Sequence, residues 1–229
     1  MRISIATMAL FVATAGCSSS VDSSAQVATE LAALKAQLTV LQQQAQAATD
    51  WIQVANLQST YGYYVDKMRW DEAADLFAKD ATLEIAGRGQ FSGQDRIRTY
   101  LHALGELKYG TLFNHMQLQP VIHIAPDGSS AQARWRAFIQ VAHLGKEARW
   151  GEATYENAYV KEDGVWKINK LHAYITYYVE FDKGWNKGGV ALPQKLGDLN
   201  PDAAPTVKYG AFPEVFVPPY HYKNPVTGK

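Results

Sequence analysis

The sequence is poor in the residues that build disulfide and metal frameworks. Its 229 residues include one cysteine, Cys17, so no disulfide can form within the chain and no cluster of thiolates can hold a metal. No HExxH, HxH or cysteine–histidine spacing occurs either, which argues against a metal site. The chemistry of this chain is therefore expected to rest on ordinary side chains.

Net charge and two familiar loop motifs are also absent. The 22 basic and 22 acidic side chains cancel, and no run of Lys or Arg points to nucleic acid or another anionic surface. The stretch GRGQFSG is too short and wrongly placed for a dinucleotide-binding loop, and no GxSxG marks a serine nucleophile. We expect no cofactor, no metal and no nucleic-acid partner.

Hydrophobic and aromatic residues are plentiful. They make up 47% and 12% of the chain, with 13 Tyr, 6 Trp and 8 Phe. This composition suits one soluble domain with a full core and appendages. The aromatic residues could line a site for an aromatic or alicyclic ligand, or serve only in packing.

The first 17 residues are typical of an export signal. Arg2 precedes an apolar stretch from Ile3 to Ala13, and small residues lead to Cys17, which serines follow. The stretch is too short to span a bilayer as a mature helix. TAGC resembles a bacterial lipobox, although Thr14 departs from the usual leucine, and predicts acylation of Cys17. The alternative is an ordinary signal peptide cut nearby. Either signal predicts a periplasmic protein, and Ser18 favours an outer-membrane lipoprotein.

Residues 18–49 are expected to form a Ser-rich tether and a short heptad helix. After Val27, leucines occur at alternating steps of four and three, at positions 31, 34, 38 and 41. This seam could join subunits or face solvent as a spacer helix, and its length favours neither.

Residues 50–181 are predicted to fold as an α+β domain. Asp50 is a suitable N-cap for a helix running to about Met68. The expected architecture is a cone-shaped, curved antiparallel sheet wrapped around the N-terminal helices, with a pocket at its open end. The further predicted elements are a helix at 70–78, strands within DATLEI and GQFSG, a helix at 94–107, and strands at 112–124, 130–144, 148–161 and 165–181.

Residues 182–229 form a different kind of segment. They are rich in Pro and Gly and end in FVPPYHYKNPVTGK. We interpret them as an extended arm that crosses a neighbouring subunit or the mouth of the pocket.

Three histidines on predicted strands of the domain are candidates for the chemistry. Alternation places His143 on the inward face of its strand, in one row with Trp135, whereas His115 lies near the start of the preceding strand. His172 and Tyr174 share one face of the last strand. A histidine backed by a carboxylate is suited to moving protons near neutral pH. Asp66, at the end of the first helix, could provide that carboxylate, or it could form a purely structural pair.

Several stretches together resemble the SnoaL-like branch of the nuclear transport factor 2-like superfamily. They are YVDKMRWDEAADLFAKDATLEI, GQFSGQDRIRTYL, NHM and YENAYVKEDGVWKINKL, within residues 50–181. The resemblance is to lyases of the scytalone dehydratase, bile-acid dehydratase and hexachlorocyclohexane dehydrochlorinase type. It implies a cofactor-independent enzyme with a His–Asp dyad, in which His115 is the base and Asp66 is its carboxylate partner, and with Tyr61 as a third catalytic residue.

The sequence departs from these lyases at the positions that recognise substrate. Ala153 and Tyr155 replace a serine and an asparagine, Gly87 falls near a tyrosine position, and Val141 or His143 takes the place of a second histidine. The substrate should therefore differ. The candidate substrate-binding residues are His143, Tyr155, Arg149, Tyr174, His172 and Trp135.

The resemblance implies elimination of water, halide or formaldehyde from a hydrophobic, aromatic molecule, such as a lignin-derived diaryl or polyketide-like compound. A non-catalytic periplasmic binding or scaffold lipoprotein, or an isomerase or cyclase using the same base, is the alternative. Similar lyases are trimers, so a homo-oligomer is expected, with a trimer ahead of a dimer.

Overall fold

A computed structural model describes residues 20–192 and 194–229, with side chains from Ser24 onward. Cys17 and the predicted signal segment lie outside these residues. The chain divides into two compact units between Ala45 and Gln46. In the described part of the chain, no helix is both long and apolar enough to cross a membrane.

Helix α1, Ser20–Asp66, is longer than expected. Asp50 was predicted as its N-cap, and that prediction is wrong. Asp50 is buried inside the helix, where its Oδ1 accepts hydrogen bonds from Lys161 Nζ (2.7 Å) and Trp166 Nε1 (2.9 Å). The helix continues through Asp50 because residues 20–61 contain neither Gly nor Pro and are rich in Ala, Gln and Leu.

The leucine seam lies in the first unit. Leu31, Leu34, Leu38 and Leu41 are between 49 and 61% exposed there. The segment is helical, as the heptad spacing predicted, and its leucine side chains are exposed.

The second unit contains the sheet and the remaining helices. The α+β prediction is confirmed, and each of the four long strands lies within a residue or so of its predicted bounds. Its elements are α2 (Trp70–Asp75), β1 (Phe77–Ile85), β2 (Gln90–Ser92), α3 (Gln94–His102), β3 (Thr111–Ile124), β4 (Ser130–His143), β5 (Glu147–Glu162), β6 (Val165–Glu180) and a 3₁₀ turn (Trp185–Lys187).

The six strands form one curved, unclosed sheet in the order β2-β1-β6-β5-β4-β3. All neighbours are antiparallel except β1 and β6, which run parallel. The sheet is therefore mixed, whereas an antiparallel one was expected. Pairing shifts register between Leu118 and Val121 in β3 and at two places in β5, and such bulges bend strands.

One face of the sheet packs against the helices. Val54, Tyr61 and Val65 of α1 are buried there, as are Ile97 and Tyr100 of α3. Strand β4 alternates as expected for a sheet with one buried face: Ala131, Ala133, Trp135, Ala137 and Ile139 are all buried.

The C-terminal arm packs on the chain's own sheet. Thr206 donates to both oxygens of Glu84, from its backbone N–H (2.8 Å) and its hydroxyl (2.7 Å). Near the C-terminus, Arg134 donates to the carbonyl oxygens of Pro218 (3.1 Å) and Pro219 (2.8 Å). These parts of the arm therefore cover the outer face of this sheet, and the prediction that the arm crosses a neighbouring subunit or the mouth of the pocket stays a prediction.

Candidate functional site

A cavity of about 320 Å³ lies between α1 and the sheet in the second unit. This volume is within the range of small-molecule sites. Apolar side chains form most of its wall, and Val190 and Ala191 of the arm also line it. Its polar lining residues are Tyr61, Arg88, His115, Arg149, Tyr155 and Tyr178.

His115, on β3, contributes its imidazole to this wall. The ring lies against Phe113, with 4.4 Å between the centroids, and its Nδ1 atom is buried without a hydrogen-bond partner in the described structure. Burial, and secondly the charge of Arg88, lower the pKa of His115 to about 3. The imidazole is therefore uncharged at neutral pH and has a free electron pair.

Asp66 meets His115 through the main chain. Its Oδ1 atom accepts the backbone N–H of His115 at 2.5 Å, and within the described residues no ion pair joins its carboxylate to the imidazole. Strand β3 is the edge of the sheet, so an outward N–H on it needs a partner from outside the sheet. Burial raises the pKa of Asp66, and this hydrogen bond partly opposes the rise. The expected contact between carboxylate and ring is thus replaced by a contact with the strand.

The tyrosines of the wall remain protonated. Burial raises the pKa of Tyr61 well above 10, raises that of Tyr155 and raises that of Tyr178 to about 12. Tyr61 packs edge-on against Phe77, 5.9 Å away between centroids. These phenols can donate a hydrogen bond or a proton to a departing oxygen, and they are poor bases.

Two predicted substrate-binding residues on β4 lie away from the cavity. His143 is exposed at the end of the strand and 3.5 Å from Glu147, because β4 extends beyond the rim; Val141, two residues earlier, lines the cavity instead. Trp135 is buried in the core, where its Nε1 donates to Tyr159 Oη at 2.9 Å.

His172 and Tyr174 lie on the other face of β6, under the arm. Their rings stack at 3.9 Å, and Tyr174 also packs on Phe216. They were predicted to bind substrate and they share one face as expected. That face is opposite the one on which Ile175 lines the cavity, because neighbouring strand residues point to opposite sides. Burial lowers the pKa of His172 to about 4.

Tyr155 and Arg149, which were predicted to bind substrate, line the cavity. The arginine is partly exposed and paired with Glu147 at 2.8 Å. Sequence reasoning missed Arg88, because GRG was considered only as a nucleotide loop and a turn residue belongs to no periodic pattern. Among the described residues, no group of three His, Cys, Asp or Glu side chains could hold a metal ion.

A family model for the SnoaL-like domain matches residues 46–172. The chain belongs to this family. Among curated proteins none matches the sequence. The fold resembles a scytalone dehydratase-like protein from Novosphingobium aromaticivorans, with 18% identity and a TM-score of 0.56, covering 69% of this chain and 99% of that one. It also resembles hexachlorocyclohexane dehydrochlorinase LinA type 2, with 18% identity and a TM-score of 0.53, covering 60% and 93%. These likenesses show that the chain shares the fold of these two proteins.

Proposed function

We propose that this SnoaL-like protein is a cofactor-independent lyase acting on a hydrophobic, aromatic small molecule. The observation that supports this most is the uncharged imidazole of His115 in the wall of an apolar cavity. Protonated phenols of Tyr61 and Tyr155 line the same cavity. A base and proton donors in one enclosed space are what an elimination requires.

In the proposed reaction His115 removes a proton from the substrate. When that proton leaves carbon, the C–H electron pair becomes a double bond and the neighbouring bond breaks, releasing halide or water. For water, Tyr61 protonates the departing oxygen. When the proton instead leaves the hydroxyl of a hydroxymethyl group, the C–C bond of that group breaks and formaldehyde departs. The electron pair of the broken C–C bond remains on the aromatic fragment until that carbon is protonated. Asp66 supports the base by holding the start of β3.

Substitution of His115 tests this function. A screen of lignin-type and polyketide-type aromatic compounds, measured by product mass, would identify a substrate that loses water, hydrogen halide or formaldehyde. His115→Ala should then reduce turnover by roughly 10²–10⁴-fold while the melting temperature shows a folded protein. His143→Ala is the control, because His143 lies outside the cavity.

Full activity of the His115 variant would refute the mechanism. Binding of these compounds without any change of mass in the wild type would favour the non-catalytic binding protein.

We also propose that the chain is a periplasmic lipoprotein anchored to the outer membrane through Cys17. The support is the small residues before this cysteine and the serines after it. Intact-mass analysis of the membrane fraction should show an acylated chain that begins at Cys17. A soluble, unmodified mature chain would exclude the anchor while leaving export in place.

A further inference from the structure

Arg88 sits on a firmly held turn at the cavity wall. The turn connects β1 to β2, and it contains two residues in the left-handed region, Ala86 (φ 54°) and Gly89 (φ 88°). The backbone N–H of Ala86 donates to the carbonyl of Ala173 at 3.0 Å, and that of Gln90 donates to the carbonyl of Ala203 at 2.9 Å. The sheet and the arm therefore fix this turn from both sides.

Within the described residues, 20–192 and 194–229, no acidic side chain serves as a counter-ion for Arg88. All six other arginines in that part of the chain pair with an acid, including Arg149, the second arginine of the cavity. The cavity lining contains no Asp or Glu among the described residues. Arg88 is half-buried, and a cation partly withdrawn from water without a counter-ion is unfavourable, so this arrangement favours a negative group from outside the chain.

The guanidinium is only partly used by the protein. Its Nη1 atom donates to the hydroxyl of Tyr100 at 2.6 Å, whereas its Nε atom is buried without a partner in the described structure. The Nε edge of a guanidinium presents two parallel N–H groups, which match the two oxygens of a carboxylate. Lysine, as a point charge, would not offer this fork.

We propose that Arg88 binds a carboxylate of the substrate, so that the molecules this cavity accepts are aromatic acids. The inference rests on the proposed lyase, because it names the substrate class of that same site. The apolar wall would hold the aromatic part, and Arg88 would fix the acid end in one orientation relative to His115.

Binding of an acid would also assist the base. The charge of Arg88 is the second cause of the low pKa of His115, after burial. A bound carboxylate neutralises that charge, so it raises the basicity of the imidazole when substrate is present. The base would then be stronger in the complex than in the free protein.

Binding of matched probes by the full chain tests the inference without any turnover. The probes are 2-naphthoate and its neutral amide, 2-naphthamide, measured by isothermal titration calorimetry at pH 7.5. Wild type should prefer the acid by roughly 10- to 100-fold, the range for hydrogen bonds to a charged group. Arg88→Met should abolish the preference, and Arg88→Lys should keep a part of it. Arg69→Met is the control for net charge, because Arg69 lies outside the cavity and pairs with Glu72, and it should retain the full preference.

Equal binding of the two probes by wild type, no binding of the acid, or a preference that survives in Arg88→Met would overturn the inference. Circular dichroism confirms folding, and Arg88→Lys provides the comparison if the methionine variant does not fold. Because His115→Ala measures turnover and Arg88→Met measures binding, failure of the lyase and failure of the acid site give different results.

Discussion

The hydrogen bond between Asp66 and the backbone of His115 changes the role expected of the carboxylate. A carboxylate on the imidazole would fix its tautomer and stabilise its charged form. A carboxylate on the N–H of β3 instead positions the strand that carries the imidazole. Removal of the negative charge of Asp66 should therefore have a different effect in each of these two roles.

Asp66→Asn should therefore be mild, because the amide oxygen can still accept the N–H of His115. We expect turnover within a few-fold of wild type for Asp66→Asn, and a larger loss together with a lower melting temperature for Asp66→Ala. The loss of this hydrogen bond is expected to cost about 1.5 kcal/mol of stability. Steady-state kinetics and thermal unfolding measure both effects. An Asn variant as inactive as His115→Ala would show that the carboxylate acts on the imidazole.

Stability should fall as the pH is lowered from about 6.5 toward 4. The folded protein holds the pKa of His115 near 3 and that of His172 near 4, against an ordinary value of 6.5. In this window the unfolded chain binds protons that the folded chain does not, so acid favours unfolding. Asp66 acts in the opposite direction, because burial raises the pKa of its carboxyl.

Thermal unfolding between pH 4.5 and 7 measures this dependence. His115→Phe should reduce this dependence to the part that His172 contributes, because a phenyl ring can pack beside Phe113 without titrating. A wild-type melting temperature that does not change over this range would contradict both assignments.

Only those features of the site that leave a pattern in the sequence could be predicted from it. The resemblance pointed to His115 and Tyr61, and both line the cavity. The alternation of residues along a strand predicted on which face of the sheet a side chain lies. It predicted neither where along the strand the rim of the cavity lies nor which of the two faces packs on the core. His143 and Tyr174 were misplaced for these two reasons. Hydrogen bonds from side chain to backbone, such as that of Asp66, leave no periodic signal.

At the scale of elements, local signals predicted strands better than helix ends. Turn residues bound the four long strands closely, because Gly and Asp stop a strand by their own conformational preferences. Asp50 looked like a helix start, yet a helix that meets no breaker continues through such a residue. The parallel pairing of β1 with β6 joins segments distant in sequence, which no local pattern records.

The docking of the arm on β1 can be tested at Thr206. Its hydroxyl donates to Glu84, a buried carboxylate that is also 3.6 Å from His172 Nε2. Thr206→Val removes this bond and should reduce the free energy of unfolding by about 1.5 kcal/mol. Protease cleavage within residues 182–229 should become faster, whereas Thr206→Ser, which keeps the hydroxyl, should resemble wild type. Equal cleavage of all three proteins would show that this bond does not hold the arm.

At the scale of the whole molecule, we propose a homotrimer. The leucine seam is exposed in its unit, and on the arm Val215 and Val217 are 91% and 66% exposed. Exposed apolar side chains in such numbers are typical of surfaces that pair with other chains. Light scattering of the mature chain should give the mass of three copies, and a monomer would refute the proposal. Leu34→Gln with Leu38→Gln tests the seam: dissociation assigns it to assembly, and an intact trimer assigns it to a spacer.

The position of Val190 and Ala191 in the cavity wall has a consequence for the order in which the protein is made. A chain emerges from the ribosome N-terminus first, so both helices that follow α1 and all six strands are synthesised before these two residues. The turn that carries Arg88 receives a hydrogen bond partner from Ala203 still later. The wall of the cavity is thus completed only by residues that follow the whole sheet in the sequence. Early termination between the end of β6 and Val190 would yield a protein with its whole sheet and an unfinished cavity wall.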